Sequence, residues 1–363
     1  MVPTQPTQES FRAIQQREDS QFIHVAAPLR ERGLMAATIL LVNADPADCI
    51  DWRVLLGNQG YKVIVLETGM AAVDQCPIVQ PDLVLLHSSL PDMSGFEVCR
   101  QLKADPLNRL TPVVLIATSS EDDDTASGAS VGADDFWGRP ASRWEALSRV
   151  QTILQLKSYI DAQAESVVLS LARSLEAKHP LTEGHSERLV EYAMMLGQSA
   201  GLSQDDLSAL RLGCQVHDIG KIAVPDAILF KPGPLTAEEV AVMHEHPAVG
   251  EKICAPMKSF RAVLPIIRHH HERMDGSGYP DGLRGEDIPL TARVLQVVDV
   301  YDALTTHRPY RRALSPERAF AVLAEESKCG WLDESLVRQF LWNCHRSPHA
   351  IPRDRSMLLD YFG

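Results

Sequence analysis

Between Ala37 and Pro140 the chain alternates short, almost wholly apolar runs with stretches in which apolar residues recur every three or four positions. The runs TILLV, KVIVL, DLVLLH and PVVLIAT have the length and branched aliphatic content of parallel strands buried on both faces. The segments between them, such as DCIDWRVLLGNQG and SGFEVCRQLKAD, read as amphipathic helices. This alternation predicts a doubly wound α/β domain over residues 37–140. Residues 1–36 lack either period and are expected to form a mobile tail. From residue 141 the pattern turns helical. Ala146, Val150, Ile153, Ile160, Ala164, Val167 and Leu171 follow a three–four spacing, broken by Lys157. A connecting helix over 141–170 is expected, either pairing with a second copy as a parallel coiled coil or packing on its own domain. HSERLVEYAMMLGQSAGL, SALRLGCQVHDIG, TAEEVAVMHEHPAVGEKI, LTARVLQVVDVYDALT and SPERAFAVLAEES keep the helical period, so residues 171–345 are read as an all-α domain and 346–363 as a tail.

Composition narrows the function more than the fold. The net charge of −13 over 363 residues opposes binding of a phosphate polymer, so no nucleic-acid partner is expected. Seven cysteines, none in a CxxC pair, give neither a disulfide framework nor a thiolate zinc site and fit a reducing cytoplasm. No apolar run approaches the roughly 20 residues that span a bilayer, and the N-terminus has no signal-peptide core. A cytoplasmic protein without a membrane partner is expected.

The candidate chemistry lies in the helical half. His185, His217 with Asp218, His246, His270 with His271, and Asp299 interrupt otherwise apolar helix faces. Asp218 within LGCQVHDIGKI and Asp299 within LQVVDVYDAL would cost several kcal/mol to bury unpaired. A cation removes that cost, and imidazole with carboxylate suits Fe, Mn, Zn or Ni.

Two resemblances sharpen this reading. PDLVLLHSSLPDMSGFEVCRQLK, TPVVLIAT and GADDFWGRP resemble the receiver domain of two-component response regulators, a flavodoxin-like fold. The functional positions that this resemblance identifies have changed: His87 stands for the phosphoacceptor aspartate, Asn43 and Ala44 for the acidic pair, Ala117 for the hydroxyl residue and Arg139 for the lysine. No phosphoacceptor is therefore expected, because a histidine cannot form an acyl phosphate and Mg²⁺ lacks its oxygen ligands. The domain is expected to be a pseudo-receiver that binds a partner or dimerises.

The second resemblance covers roughly residues 165–345. HDIGKIAVPDAILFKPGPLT, HEHPAVG, HHHERMDGSGYPDGLRGEDIPL and VVDVYDALTTHRPYR are similar to the HD-GYP family of cyclic di-GMP phosphodiesterases, within the HD superfamily. The resemblance implies two divalent metal ions per chain, most typically Fe or Mn. His185, His217, Asp218 and Asp299 would hold one, and Asp218 would bridge to a second held by His246, His270 and His271. His269 would fall one residue out of register, and His246, followed by proline, would be the ligand rather than His244. Two cations about 3.5–4 Å apart activate a bridging water for in-line attack at phosphorus. Asp218 and Lys221 are the implied catalytic residues. Lys221, Gly278, Tyr279, Pro280, Asp302, Arg308 and Arg311 are the implied substrate contacts, with Tyr279 stacking on a guanine. Leu181 stands where some relatives carry a glutamate that serves a third metal, so two metals are expected.

The implied activity is hydrolysis of cyclic di-GMP to pGpG, with onward hydrolysis to GMP as an optional second step. The implied partners are cyclic di-GMP, a second copy paired through the connecting helix, and a diguanylate cyclase docked on the glycine-rich turn. The competing reading keeps the nucleotide site but makes the output protein contact rather than turnover.

Overall fold

The computed structural model describes residues 37–117, 130–138, 142–178, 184–307 and 312–346. They fall into two compact units, with the division after Leu154.

The first unit is built on β1 (Thr38–Val42), α1 (Pro46–Gly57), β2 (Lys62–Leu66), α2 (Gly69–Val79), β3 (Leu83–His87), α3 (Gly95–Ala104), β4 (Val113–Ile116) and β5 (Asp135–Trp137). Its five strands are parallel in the order β2-β1-β3-β4-β5. The continuous apolar runs follow from cover on both faces. Alternate residues Ile39, Leu41, Leu83, Leu85, Val114 and Ile116 pack on Trp52 and Leu56 of α1. The intervening Leu40, Val42, Val84, Leu86, Val113 and Leu115 pack on Ala72, Cys76, Val98, Cys99 and Leu102 from α2 and α3.

Helix α4 (Arg143–Lys178) begins in the first unit and continues in the second. Its apolar spacing does not serve one seam. Ala146 and Val150 are buried in the core under α1, with Ile153 packed beside them. Farther along, Val168 and Ala172 enter the core of the second unit, and Ala164 lies against it. Leu156, Ile160, Val167 and Leu171 remain exposed.

The second unit is helical: α5 (His185–Ser199), α6 (Gln204–Val216), α7 (Asp226–Leu229), α8 (Ala237–Met243), α9 (His246–Cys254), α10 (Leu264–His269), α11 (Leu290–Thr305), α12 (Pro316–Lys328) and α13 (Glu334–Arg346). A single core joins α5, α6, α10, α11, α12 and α13. At its centre the Tyr301 ring stacks on Phe320 and meets Tyr192 and Phe340 edge-on, which fixes the rotation of α11. No helix among the described residues is long and apolar enough to cross a membrane.

Candidate metal centre

Seven ligand-type residues from five places along the chain come together in the second unit. His185 opens α5, His217 closes α6, Asp218 leads into a 3-10 turn (Ile219–Ala223), His246 opens α9, His270 and His271 follow α10, and Asp299 lies in α11. The turn carrying Asp218 can reach α9 only because residue 220 is a glycine. A Cβ there would sit 1.9 Å from the His246 carbonyl oxygen and 2.6 Å from the Gly250 nitrogen. Backbone therefore meets backbone at this point, and Asp218 and His246 are held side by side.

Two groups of ligand-type atoms result. Asp218, His246, His270 and His271 form one, and His185, His217 and Asp299 the other, with donor atoms in each within 4.8 Å of one another. Asp218 touches both groups. One carboxylate oxygen lies 3.3 Å from His246 Nε2 and 3.9 Å from His270 Nε2, and the other lies 3.5 Å from His217 Nε2. His185 Nε2 is 3.6 Å from Asp299 Oδ1.

The tautomers follow from what the other ring nitrogens do. Nδ1 of His217, His246 and His270 donates to the carbonyls of Cys214, Met243 and Ile267 at 3.1, 2.8 and 2.8 Å. Each Nε2 is then a bare lone pair. The Nε2 atoms of His246 and His270 face one another at 3.3 Å with no proton left to share. His217 Nε2 and Asp218 Oδ1 are buried without a hydrogen-bond partner among the described residues. Buried acceptors pointed at a common space are unfavourable unless a cation fills it. The donor set therefore fits a metal.

Electrostatics favour the neutral, ligating state for three of the imidazoles, whereas His185, despite its burial, is raised by Asp302 and Asp299. Burial pulls His217 down to about 4 and His270 to about 3, and takes His271 well below the ordinary imidazole value, so all three stay neutral. Burial alone would raise Asp218, but the Lys221 cation beside it outweighs this and holds the carboxyl well below its usual range. Lys221 Nζ is 2.5 Å from Asp218 Oδ2.

Asp302, expected on the substrate side, sits behind His185. Its carboxylate takes His185 Nδ1 at 2.7 Å and Arg188 Nε at 2.6 Å, and the residue is 2 % exposed. Asp299 and Asp302, three positions apart on α11, thus address the same imidazole from its two nitrogens. A carboxylate behind a ligating histidine orients it and raises its basicity. Asp302→Asn is therefore expected to weaken metal affinity about 10–100-fold with every ligand retained. Titration against a chelator measures this, and unchanged affinity would contradict the arrangement.

The glycine-rich turn differs from expectation in a similar way. Gly278 is required by close approach to protein, since a Cβ there would lie 2.3–2.5 Å from the Glu272 and Arg273 backbone. The Tyr279 ring stacks on His244 at 3.7 Å and lies 4.9 Å from His271, so its stacking partner here is a histidine rather than an open site. Pro280, partly buried, follows Tyr279 through a cis bond. Glu272, to which the sequence assigned nothing, anchors the turn. It is fully buried and accepts from the backbone amides of Asp281, Gly282 and Leu283 at 2.7, 3.1 and 3.0 Å. His269 faces Glu272 and Asp281 instead of the main groups. His269, Glu272 and Asp281 form a further cluster of ligand-type atoms, which needs no cation because Arg268 already makes two bonds to Asp281. Arg308, Arg311, Leu181 and Arg139 lie outside the described residues.

In the first unit, His87 ends β3, and its Nδ1 is 2.8 Å from the Ser89 carbonyl and 3.3 Å from the Ser89 amide. Asn43 donates to Asp48 at 2.7 Å, and Asp45 caps α1 by accepting from Ala47 and Asp48. Ala117 is buried. No group of three ligand-type side chains gathers at this corner among the described residues.

Comparison with known proteins places both units. The response regulator receiver domain matches residues 39–151 and the HD domain matches residues 170–336. The cyclic di-GMP phosphodiesterase response regulator RpfG of Xanthomonas campestris pv. campestris is 34 % identical over 275 residues, covering 69 % of this chain and 73 % of that protein. A cyclic di-GMP phosphodiesterase of Thermotoga maritima is 30 % identical over 336 residues, covering 84 % and 89 %. A 3'3'-cGAMP-specific phosphodiesterase of Vibrio cholerae is 38 % identical over 165 residues, covering 46 % and 36 %. Fold and matches together define a receiver-linked hydrolase of the HD class, whose members depend on metal ions. The chain belongs to the HD-GYP family of phosphodiesterases.

Proposed function

We propose that the protein hydrolyses cyclic di-GMP to linear pGpG at a two-metal centre formed by His185, His217, Asp218, His246, His270, His271 and Asp299. The observation that carries this reading is the opposed, proton-free pair of Nε2 atoms on His246 and His270 beside the partnerless Asp218 Oδ1. Two relatives aligned over most of their length are named for the same substrate. Bound Fe or Mn would supply an activated water and Lewis-acid polarisation of the phosphodiester.

The chain's own contribution is orientation and charge. Asp302 and the three backbone carbonyls set the imidazole rings. Asp218 lies between the two ligand groups, so one carboxylate spaces both. Lys221, paired with Asp218 and partly exposed, offers its remaining donors to a phosphate oxygen as a compact cation. The altered positions Asn43, Ala44, His87, Ala117 and Arg139 support a first unit that does not take phosphate and regulates by contact. The exposed Leu156, Ile160, Val167 and Leu171 on α4 support pairing of two copies there.

A centre without turnover would have to act through docking alone, and cells distinguish the two. Expression of the wild-type chain should lower cellular cyclic di-GMP, and the His217→Ala, Asp218→Ala double variant should not. Equal output from both would favour the docking reading.

A further inference from the structure

Beside the ligand groups lies a cavity of about 320 Å³, several of whose lining residues are not candidate ligands. His271 and Asp299 of the ligand groups line it together with Arg273, Ser277, Glu326 and Trp331. The Arg273 guanidinium lies over the Trp331 indole at 4.1 Å, and its contact with Ser277 Oγ is long at 3.5 Å. No carboxylate pairs with Arg273 among the described residues. The wall is firmly built: Met274 and Asp275 amides donate to the Trp331 and Gly330 carbonyls at 3.2 and 2.8 Å, and the Trp331 amide donates to the Glu326 carbonyl at 3.0 Å.

We infer that this cavity is a guanine subsite, in which the Arg273 plane backed by Trp331 stacks on the base and Glu326 accepts from its Watson–Crick edge. The inference rests on the cyclic dinucleotide reading above and adds which base is read and by what. Three features point to a base rather than a second phosphate. A stacked cation and indole form the flat platform that nucleobases use. A carboxylate in the same cavity repels phosphate but accepts hydrogen bonds, and guanine presents N1–H and N2–H₂ side by side where adenine has an acceptor next to a donor. His271 and Asp299 of the ligand groups line the same cavity, so a base held here adjoins the candidate metal centre. Burial raises the Glu326 carboxyl above its ordinary value against the pull of Arg273, as expected of an acceptor awaiting donors.

The test compares cyclic di-GMP with bis(4-nitrophenyl) phosphate, a diester without a base, on metal-loaded full-length protein. In Glu326→Ala the ratio of the two kcat/KM values should fall about tenfold or more, through KM. In Glu326→Gln, whose amide matches adenine, cyclic di-AMP should gain as a competitive inhibitor relative to cyclic di-GMP. Trp331→Ala, which keeps Glu326, should lower the same ratio and serves if the Glu326 variants do not fold. Ratios unchanged within twofold in the folded variants would overturn the subsite while leaving the phosphodiesterase reading intact. Wild-type protein that cleaves bis(4-nitrophenyl) phosphate but neither binds nor cleaves cyclic di-GMP would overturn both.

Discussion

Replacing Asp218 by alanine is expected to empty both ligand groups at once and to lower turnover at least a thousandfold, about 4 kcal/mol in transition-state stabilisation. The size follows from position. Asp218 lies within 4 Å of ligand nitrogens from both groups, facing His246 and His270 with one oxygen and His217 with the other. Loss of Asp299, which belongs to the His185 and His217 group only, should cost less. The same variant separates metal binding from folding. A ligand present at about a thousand times its Kd stabilises the native state by about 4 kcal/mol. In wild-type protein the loss of helical signal from the second unit should therefore move to a clearly higher temperature on loading with Mn, and in Asp218→Ala that transition should stay at one temperature with or without it. A persistent metal-dependent shift would mean that Asp218 is not shared.

Glu272→Ala should detach the glycine-rich turn without removing any ligand. Three amides, those of Asp281, Gly282 and Leu283, donate to one fully buried carboxylate. A buried donor left unpaired costs about 1–3 kcal/mol, so the local loss should reach about 3 kcal/mol or more. Gln296, which donates to the Glu272 carbonyl, ties the same point to α11, so the disturbance should spread toward Asp299. Because the chain has two units, a single unfolding midpoint is the wrong measure. Hydrogen exchange of the three amides is the right one. Their protection should collapse in the variant while that of β1 and β3 is unchanged, and retained protection would show that water or a neighbour replaces the carboxylate.

The parallel strands were legible because cover on both faces makes each a continuous apolar run, which helical stretches rarely imitate at five residues. The fate of α4 was not. A three–four spacing reports that a stripe is covered without saying by what, and three different surroundings share it: the first unit's core at Ala146 and Val150, the second unit's at Val168 and Ala172, and solvent at Ile160 and Val167. The ligand-type residues stood out because carboxylates and imidazoles in apolar helices demand compensation. Their supports did not, since an acidic residue looks the same in sequence whether it meets a metal, an imidazole or three amides. Asp302, expected as a substrate contact, lies behind His185, a role its sequence neighbours do not signal because its partners are more than a hundred residues away. The choice between His244 and His246 is likewise spatial: His246 opens α9 against Asp218, while His244, two residues earlier, stacks on Tyr279.

Anaerobic incubation of the purified full-length protein, loaded in parallel with Fe and with Mn, tests the central claim most directly. Nucleotides are separated by chromatography and metal is counted in the same sample. The account predicts two metal ions per chain and conversion of cyclic di-GMP to pGpG without any phosphodonor. Two bound ions with cyclic di-GMP left intact by both samples would contradict it.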